Sequence, residues 1–190
     1  MAKVGDLELE TRLFETTKEM LVKYGVRGWN MDELSKECGV SKRTLYKIIG
    51  NKEDLLYKVI EVNFLSEIEK RREYLNGVDD YVSKLDSFGS FFANNFEDFV
   101  LLNARDITKE YPRIEDMIKT RKQNLNNILT DFFKQGQKLG LIDKSIKPSF
   151  ISNFIDVIIT ANINSGQSSA EFREKLKPEL EIIIRGIRIS

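Results

Sequence analysis

The sequence predicts an all-α fold: an N-terminal three-helix module followed by a larger helical domain. Three observations carry this. Apolar residues recur at helical spacing along nearly the whole chain, and period-two alternation is almost absent. Only 3 prolines and 11 glycines interrupt the 190 residues. Most of these fall where a periodic run ends, beside residues suited to capping helices.

The first run, 9 to 24, places Leu9, Leu13, Thr17, Met20, Leu21 and Tyr24 on one face, and Gly25 ends it. Asn30 caps a short second helix, about 31 to 38, and Glu33 completes a capping-box pattern. Met31, Leu34 and Cys38 form its inner side, and Gly39 stops it. Ser41 caps a third helix, about 42 to 48, which Gly50 stops. Asn51 caps a fourth that runs to about 75, with Leu55, Leu56, Val59, Val62 and Leu65 as its apolar stripe. After the Asn76-Gly77 turn, a helix over 79 to 102 carries Phe88, Phe91, Phe92, Phe96 and Phe99. Tyr111-Pro112 breaks the chain, because proline disfavours helix in the preceding residue and suits a helix start. A long helix follows over 112 to 138, then a loop after Gly140, and a strongly apolar helix over 149 to 164. The last helix lies between 170 and 188, with Leu176, Leu180, Ile183, Ile184 and Ile187 at helical spacing; Pro178 kinks it or marks its start. The total is about nine helices, divided into a front domain (1–51) and a body (52–190).

Apolar residues make up 41% and charged residues 32%, as in an ordinary soluble domain. Thirty basic and 30 acidic residues cancel, so any nucleic-acid role requires a local patch. Cys38 is the sole cysteine, which excludes an internal disulfide; it is read as a small core residue. No uncharged apolar run approaches the roughly 18 residues of a membrane span, and the opening MAKVGDLELE has no apolar signal core. The expected location is the cytoplasm, without a membrane partner. Histidine is absent, which removes His-based triads and most transition-metal sites. No glycine-rich phosphate loop, metal-ligand spacing or nucleophile elbow stands in its place. The chain is therefore not read as an enzyme, and no catalytic residue, metal or cofactor is assigned.

One stretch does carry chemistry. Residues 36 to 52 hold Lys36, Lys42, Arg43, Lys47 and Lys52 against Glu37 alone, a local excess of positive charge in a neutral chain. Gly39-Val40-Ser41 joins two short helices in the way a helix-turn-helix requires: a tight glycine turn, then a cap. Leu45, Ile48 and Ile49 hold the second helix to the module. Its other side presents Lys42, Arg43, Thr44, Tyr46 and Lys47, side chains that suit phosphates and base edges in a major groove. Lys52 lies in the first turn of helix four, where a cation opposes the helix dipole unless a phosphate is near. The competing reading is a helical protein-interaction module whose basic face is merely solvated. Trp29 packs at the edge of the module or turns its indole N–H outward to a DNA backbone.

The run YGVRGWNMDELSKECGVSKRTLYKIIGNKEDLL resembles the DNA-binding domain of the TetR (tetracycline repressor) family, whose pattern is G-V-S-x-x-T-L-Y-x-x-F followed by a capped S/N-K-x-x-L. Gly39, Val40, Ser41, Thr44, Leu45, Tyr46, Asn51, Lys52 and Leu55 match in register. Arg43 stands where many members have glycine, Lys47 where histidine is common, and Ile48-Ile49 replaces an aromatic pair. The resemblance implies DNA binding by Lys36, Ser41, Lys42, Arg43, Thr44, Tyr46, Lys47 and Lys52, with Thr44, Tyr46 and Lys52 on phosphates and Lys42, Arg43 and Lys47 at or near the bases. It implies a palindromic double-stranded operator, a repressor role, and a small-molecule effector bound in the body somewhere between residues 60 and 160. Asn94, Asn95, Asn103 and Asn127 are the polar candidates there. It also implies a homodimer through the last two helices. The sequence supports this independently, because helix 149 to 164 is apolar nearly all round and needs cover on two sides. Phe150, Phe154, Ile155, Ile158, Ile159, Ile183, Ile184 and Ile187 are the expected interface.

Overall fold

The structure, a computed structural model, describes residues 4–77 and 79–189. Among these, nine helices follow one another: α1 (Val4–Tyr24), α2 (Met31–Glu37), α3 (Lys42–Ile49), α4 (Lys52–Asn76), α5 (Tyr81–Asn94), α6 (Asp98–Glu110), α7 (Pro112–Lys138), α8 (Pro148–Asn164) and α9 (Ser169–Ile187). No strand occurs among the described residues; one isolated bridge pairs Ile142 with Arg188 and ties the α7–α8 loop to the end of α9.

Local chemistry explains most boundaries. Asn30, Asn51 and Ser168 each close a capping box with a carboxylate three residues on. Gly39 has φ +61 and nothing within 4 Å of the place its Cβ would occupy, so the demand there is for left-handed backbone and not for space. At Gly89 the demand is reversed: a Cβ would meet the Lys177 carbonyl at 2.7 Å, because α5 and α9 cross in close contact.

One expectation changes, and one open alternative is decided. The helix anticipated over 79 to 102 is broken at Asn95–Glu97 into α5 and α6. Asn95 Nδ2 donates to the Phe91 carbonyl at 2.7 Å and competes with the helix ladder, while Phe96 turns to stack edge-on against Phe172 at 5.3 Å. Pro178 does not start α9 but sits inside it.

Two apolar cores result. The front core joins α1 to α4 through Leu13, Leu34, Leu45, Leu55 and Val59, and it reaches into α6 and α7 at Ile107 and Ile114. The body core is built on Phe88, Phe92, Phe133, Phe172 and Leu180. Buried positions on α4, α6 and α7 belong to both, so these three helices are shared between the cores. The inward face of α4 was misread from sequence: Val62 and Leu65 are exposed, and Ile60, Asn63, Glu67, Ile68, Arg71 and Leu75 are buried instead. On α1, Tyr24 is likewise exposed.

Candidate nucleic-acid interface and effector cavity

The turn between α2 and α3 is made by backbone bonds. Gly39 N–H donates to Lys36 O at 3.0 Å and Val40 N–H to Ser35 O at 2.9 Å. Ser41 Oγ accepts from Thr44 N–H at 3.1 Å and pairs with Thr44 Oγ1 at 2.8 Å, fixing the first turn of α3. Leu45 and Ile49 are buried and lock α3 to the module, with Ile48 half-buried beside them. The opposite face leaves Lys42, Arg43, Tyr46 and Lys47 exposed, with Thr44 half-buried. Lys42 forms an ion pair with Asp32 of α2. Among the described residues Arg43 and Lys47 take part in none. α2 and α4 carry carboxylates in their first turns, and α3 carries none. The positive end of its dipole is left to an outside anion. Lys36 is exposed in the last turn of α2, and Ser41 is exposed at the cap.

Lys52 departs from this surface. Its ammonium points inward, donating to Val26 O and Trp29 O at 2.6 Å each, and lies 4.0 Å from the centre of the Trp29 ring. Burial lowers its pKa, and the carboxylates of Glu110 and Glu33 oppose the shift. The cation holds the start of α4 to the loop after α1, which is why it tolerates the unfavourable end of the helix dipole. Trp29 is 3% exposed, so its indole packs inside the module and does not reach the surface.

The last two helices divide the expected interface residues. Ile155, Ile159, Ile184 and Ile187 are buried within the chain, whereas Ile158 and Ile183 are half-buried. Only Phe150 and Phe154 of the expected set are exposed, their rings stacked at 6.3 Å. The α8 periodicity was legible, but it spans two faces, and only contact with α7 and α9 distinguishes them. Val157, Ile182 and Ile189 are exposed apolar residues on the same two helices or just beyond them, and the interface expected from sequence omitted them.

A cavity of about 330 Å³ opens among α4, α6, α7 and α8. Most of its wall is apolar, including Ile60, Phe64, Phe92, Leu129, Ile155 and Ile159. Asn63, Glu67 and Arg71 of α4 and Asn126 of α7 also line it. Arg71 is pressed between Phe92 and Phe96, with ring centres 5.4 and 5.2 Å away, and burial lowers its pKa against the pull of Glu67. None of the four asparagines nominated from sequence lines the cavity. Asn94 and Asn127 are exposed, and Asn95 bonds back to Phe91. Asn103 is 2% exposed and donates to Leu21 O and Phe99 O, both at 3.0 Å, tying α6 to α1. The polar residues of α4 that do line it, Asn63, Glu67 and Arg71, stand four apart in the chain, and the sequence reading singled out none of them.

α6 stands between the cavity and the front module. Val100, Ala104 and Thr108 face the cavity. Asn103 reaches α1, and Glu97 pairs with Lys18 at 3.2 Å.

Comparison with known proteins agrees with this arrangement. A sequence profile described as "Bacterial regulatory proteins, tetR family" matches residues 13–59. No curated protein matches the chain in sequence. Among solved structures, the TetR-family regulator from Cytophaga hutchinsonii aligns over 100% of both chains with a TM-score of 0.79 and 14% identity. One from Agrobacterium tumefaciens covers 97% of this chain and 100% of its own, at 0.75 and 12%. The regulator PfmR from Thermus thermophilus covers 92% of this chain and 97% of its own, at 0.70 and 18%. At such identities the likeness of the full chain is one of fold, and the sequence match lies in the helix-turn-helix. The front module thus matches the sequence profile of the tetR-family regulatory proteins, and the chain as a whole shares the fold of TetR-family regulators of known structure.

Proposed function

We propose that the protein is a ligand-responsive repressor that binds a palindromic operator as a homodimer, through α3. The observation that carries this is the division of α3 into two faces. Leu45 and Ile49 are buried, while Lys42, Arg43, Tyr46 and Lys47 are presented together at a helix whose first turn holds no carboxylate. Arg43 and Lys47 would read bases, and Ser41, Lys42, Thr44 and Tyr46 would hold phosphates, with Lys36 adding charge nearby. Lys52 acts from within the module. Two copies would meet through Phe150, Phe154, Val157 and Ile182, setting two α3 helices about 34–36 Å apart for successive major-groove faces. An effector in the cavity would act on α4, α6 and α7, the helices that touch both the cavity and the front core. It would shift the population between DNA-competent and incompetent spacings. The proposed division is a DNA-binding domain of residues 1–51 and an effector and dimerisation domain of residues 52–190.

Selection from genomic fragments, followed by fluorescence anisotropy across a salt series, tests the reading. The chain should recover an inverted repeat and bind it with a steep salt dependence. Arg43→Ala with Lys47→Ala should reduce affinity by about 10²-fold or more and relax sequence preference, at about 1–3 kcal/mol per lost base contact. Phe154→Glu should yield monomers by light scattering and remove most operator affinity. Failure to recover any salt-sensitive duplex site would favour the rival, a helical interaction module without DNA binding.

A further inference from the structure

Three residues on successive turns of α4, Asn63, Glu67 and Arg71, are 5–6% exposed, line the cavity, and each keeps a polar atom without a hydrogen-bond partner: Asn63 Oδ1, Glu67 Oε2 and Arg71 Nε. Buried polar atoms are ordinarily paired, so a row of three unpaired ones along a cavity wall marks where a polar group belongs. The pairing between Glu67 and Arg71 does not meet the need. Their nearest atoms are 3.5 Å apart, too far for a good hydrogen bond, and Glu67 Oε1 is already taken by Lys70 at 3.0 Å. A fourth unpaired atom, Asn126 Oδ1, lies on α7, its amide N–H donating to Asn153.

Three of these four atoms are acceptors and one is a donor. The occupant therefore has to bring a donor. Charge decides the rest. The cations of the wall are each matched by an anion: Arg71 with Glu67, Lys119 with Glu115 at 2.9 Å, Lys122 with Asp156 at 3.5 Å. A carboxylate ligand would suit Arg71 but crowd Glu67 and leave every unpaired acceptor unmet. A charged ligand of either sign would unbalance a set that is already neutral, at the desolvation penalty of a buried charge. The volume of about 330 Å³ is near the lower end for ligand pockets, and the remaining wall is largely apolar.

We propose that the effector is an uncharged, mainly apolar small molecule whose one polar end carries an O–H or N–H donor, held by the Asn63–Glu67–Arg71 face of α4. This rests on the reading of the cavity as the effector site. A phenolic or alcoholic hydroxyl, or a primary amide, has the required chemistry: it donates to Glu67 or Asn63 and accepts from Arg71.

Isothermal titration calorimetry of the full chain with 4-propylphenol, 4-propylanisole and 4-propylbenzoate separates the possibilities, since the three share an apolar body. The phenol should bind about tenfold or more tightly than either of the others. Asn63→Leu should narrow the margin of phenol over anisole. Glu67→Gln should reverse the preference, favouring the benzoate, because Arg71 then lacks its counter-charge. In the wild-type chain, benzoate equal to or tighter than phenol, or anisole equal to phenol, overturns the ligand class and leaves the cavity as a binding site. Binding of none of the three overturns both.

Discussion

The two ends of α4 hold inward-facing cations, Lys52 half-buried and Arg71 buried, on opposite terms. At the first turn, Lys52 gives its ammonium to two carbonyls at 2.6 Å and to the face of Trp29, and the site is closed. Five turns later Arg71 has one distant carboxylate, two aromatic faces and an unpaired Nε. Arg71 is the more deeply buried of the two and the more poorly hydrogen-bonded. A cation with its hydrogen bonds met is a fastening; one with an unpaired N–H beside a cavity has bonding capacity left for a partner. The same helix thus fastens the helix-turn-helix module at one end and lines the proposed effector cavity at the other.

This contrast can be broken at either end. The largest expected effect comes from splitting the Glu67–Arg71 pair. Glu67→Leu leaves the Arg71 charge buried without its partner and should destabilise the chain by about 3 kcal/mol. Adding Arg71→Met should reverse the loss and bring stability to wild type or about 1 kcal/mol above it, since a poorly bonded buried pair contributes little. Urea midpoints of the two variants measure this. A double variant as unstable as the single one would show that the pair is a structural bond and not a binding surface.

At the other end, Lys52→Ala should cost about 2 kcal/mol, the worth of charge-assisted bonds to buried carbonyls. It should leave the salt dependence of operator binding unchanged. If Lys52 instead neutralises a phosphate, stability will hold and the slope of log affinity against log salt will fall by about 0.9.

The smallest effect is at the cap beside Lys52. Asp54 closes the Asn51 capping box, and the hydrogen bond from Arg113 of α7, at 2.7 Å, is the first cause holding its carboxyl below the ordinary 3.8. A carboxyl with a lower pKa in the folded than in the unfolded chain adds stability that is fully present above the unfolded value. That stability is lost as pH falls through the folded one. Asp54→Asn should therefore flatten part of the acid limb of stability between about pH 4 and 2 and change little at pH 7, read from urea midpoints across that range.

The front module was legible because its signals are local. Asn30 with Glu33, the Gly39 turn and the Ser41 cap each act within a few residues, and each stands in the structure where sequence placed it. The burial of Met31, Leu34, Cys38 and Leu45 followed from the same periodicity. The cavity was not legible for the opposite reason. On α4 the inward stripe is interrupted by Asn63, Glu67 and Arg71, and hydropathy reads such residues as outward; it therefore turned Val62 and Leu65 to the core. A cavity wall that buries polar groups contradicts the pattern by which a core is recognised.

The sequence by itself determined an all-α chain, the helix-turn-helix with its basic outer face, and most of the helix ends. Those properties depend on caps, turns and 3.6-residue spacing, which act over one or two helical turns. Tertiary structure alone decided that Lys52 turns inward and Arg71 faces a cavity. It alone buries Ile155 and Ile184 while leaving Phe150 and Phe154 exposed. Each of these depends on which distant helix lies opposite, and residues far apart along the chain supply the carbonyl, ring or carboxylate that fixes the outcome.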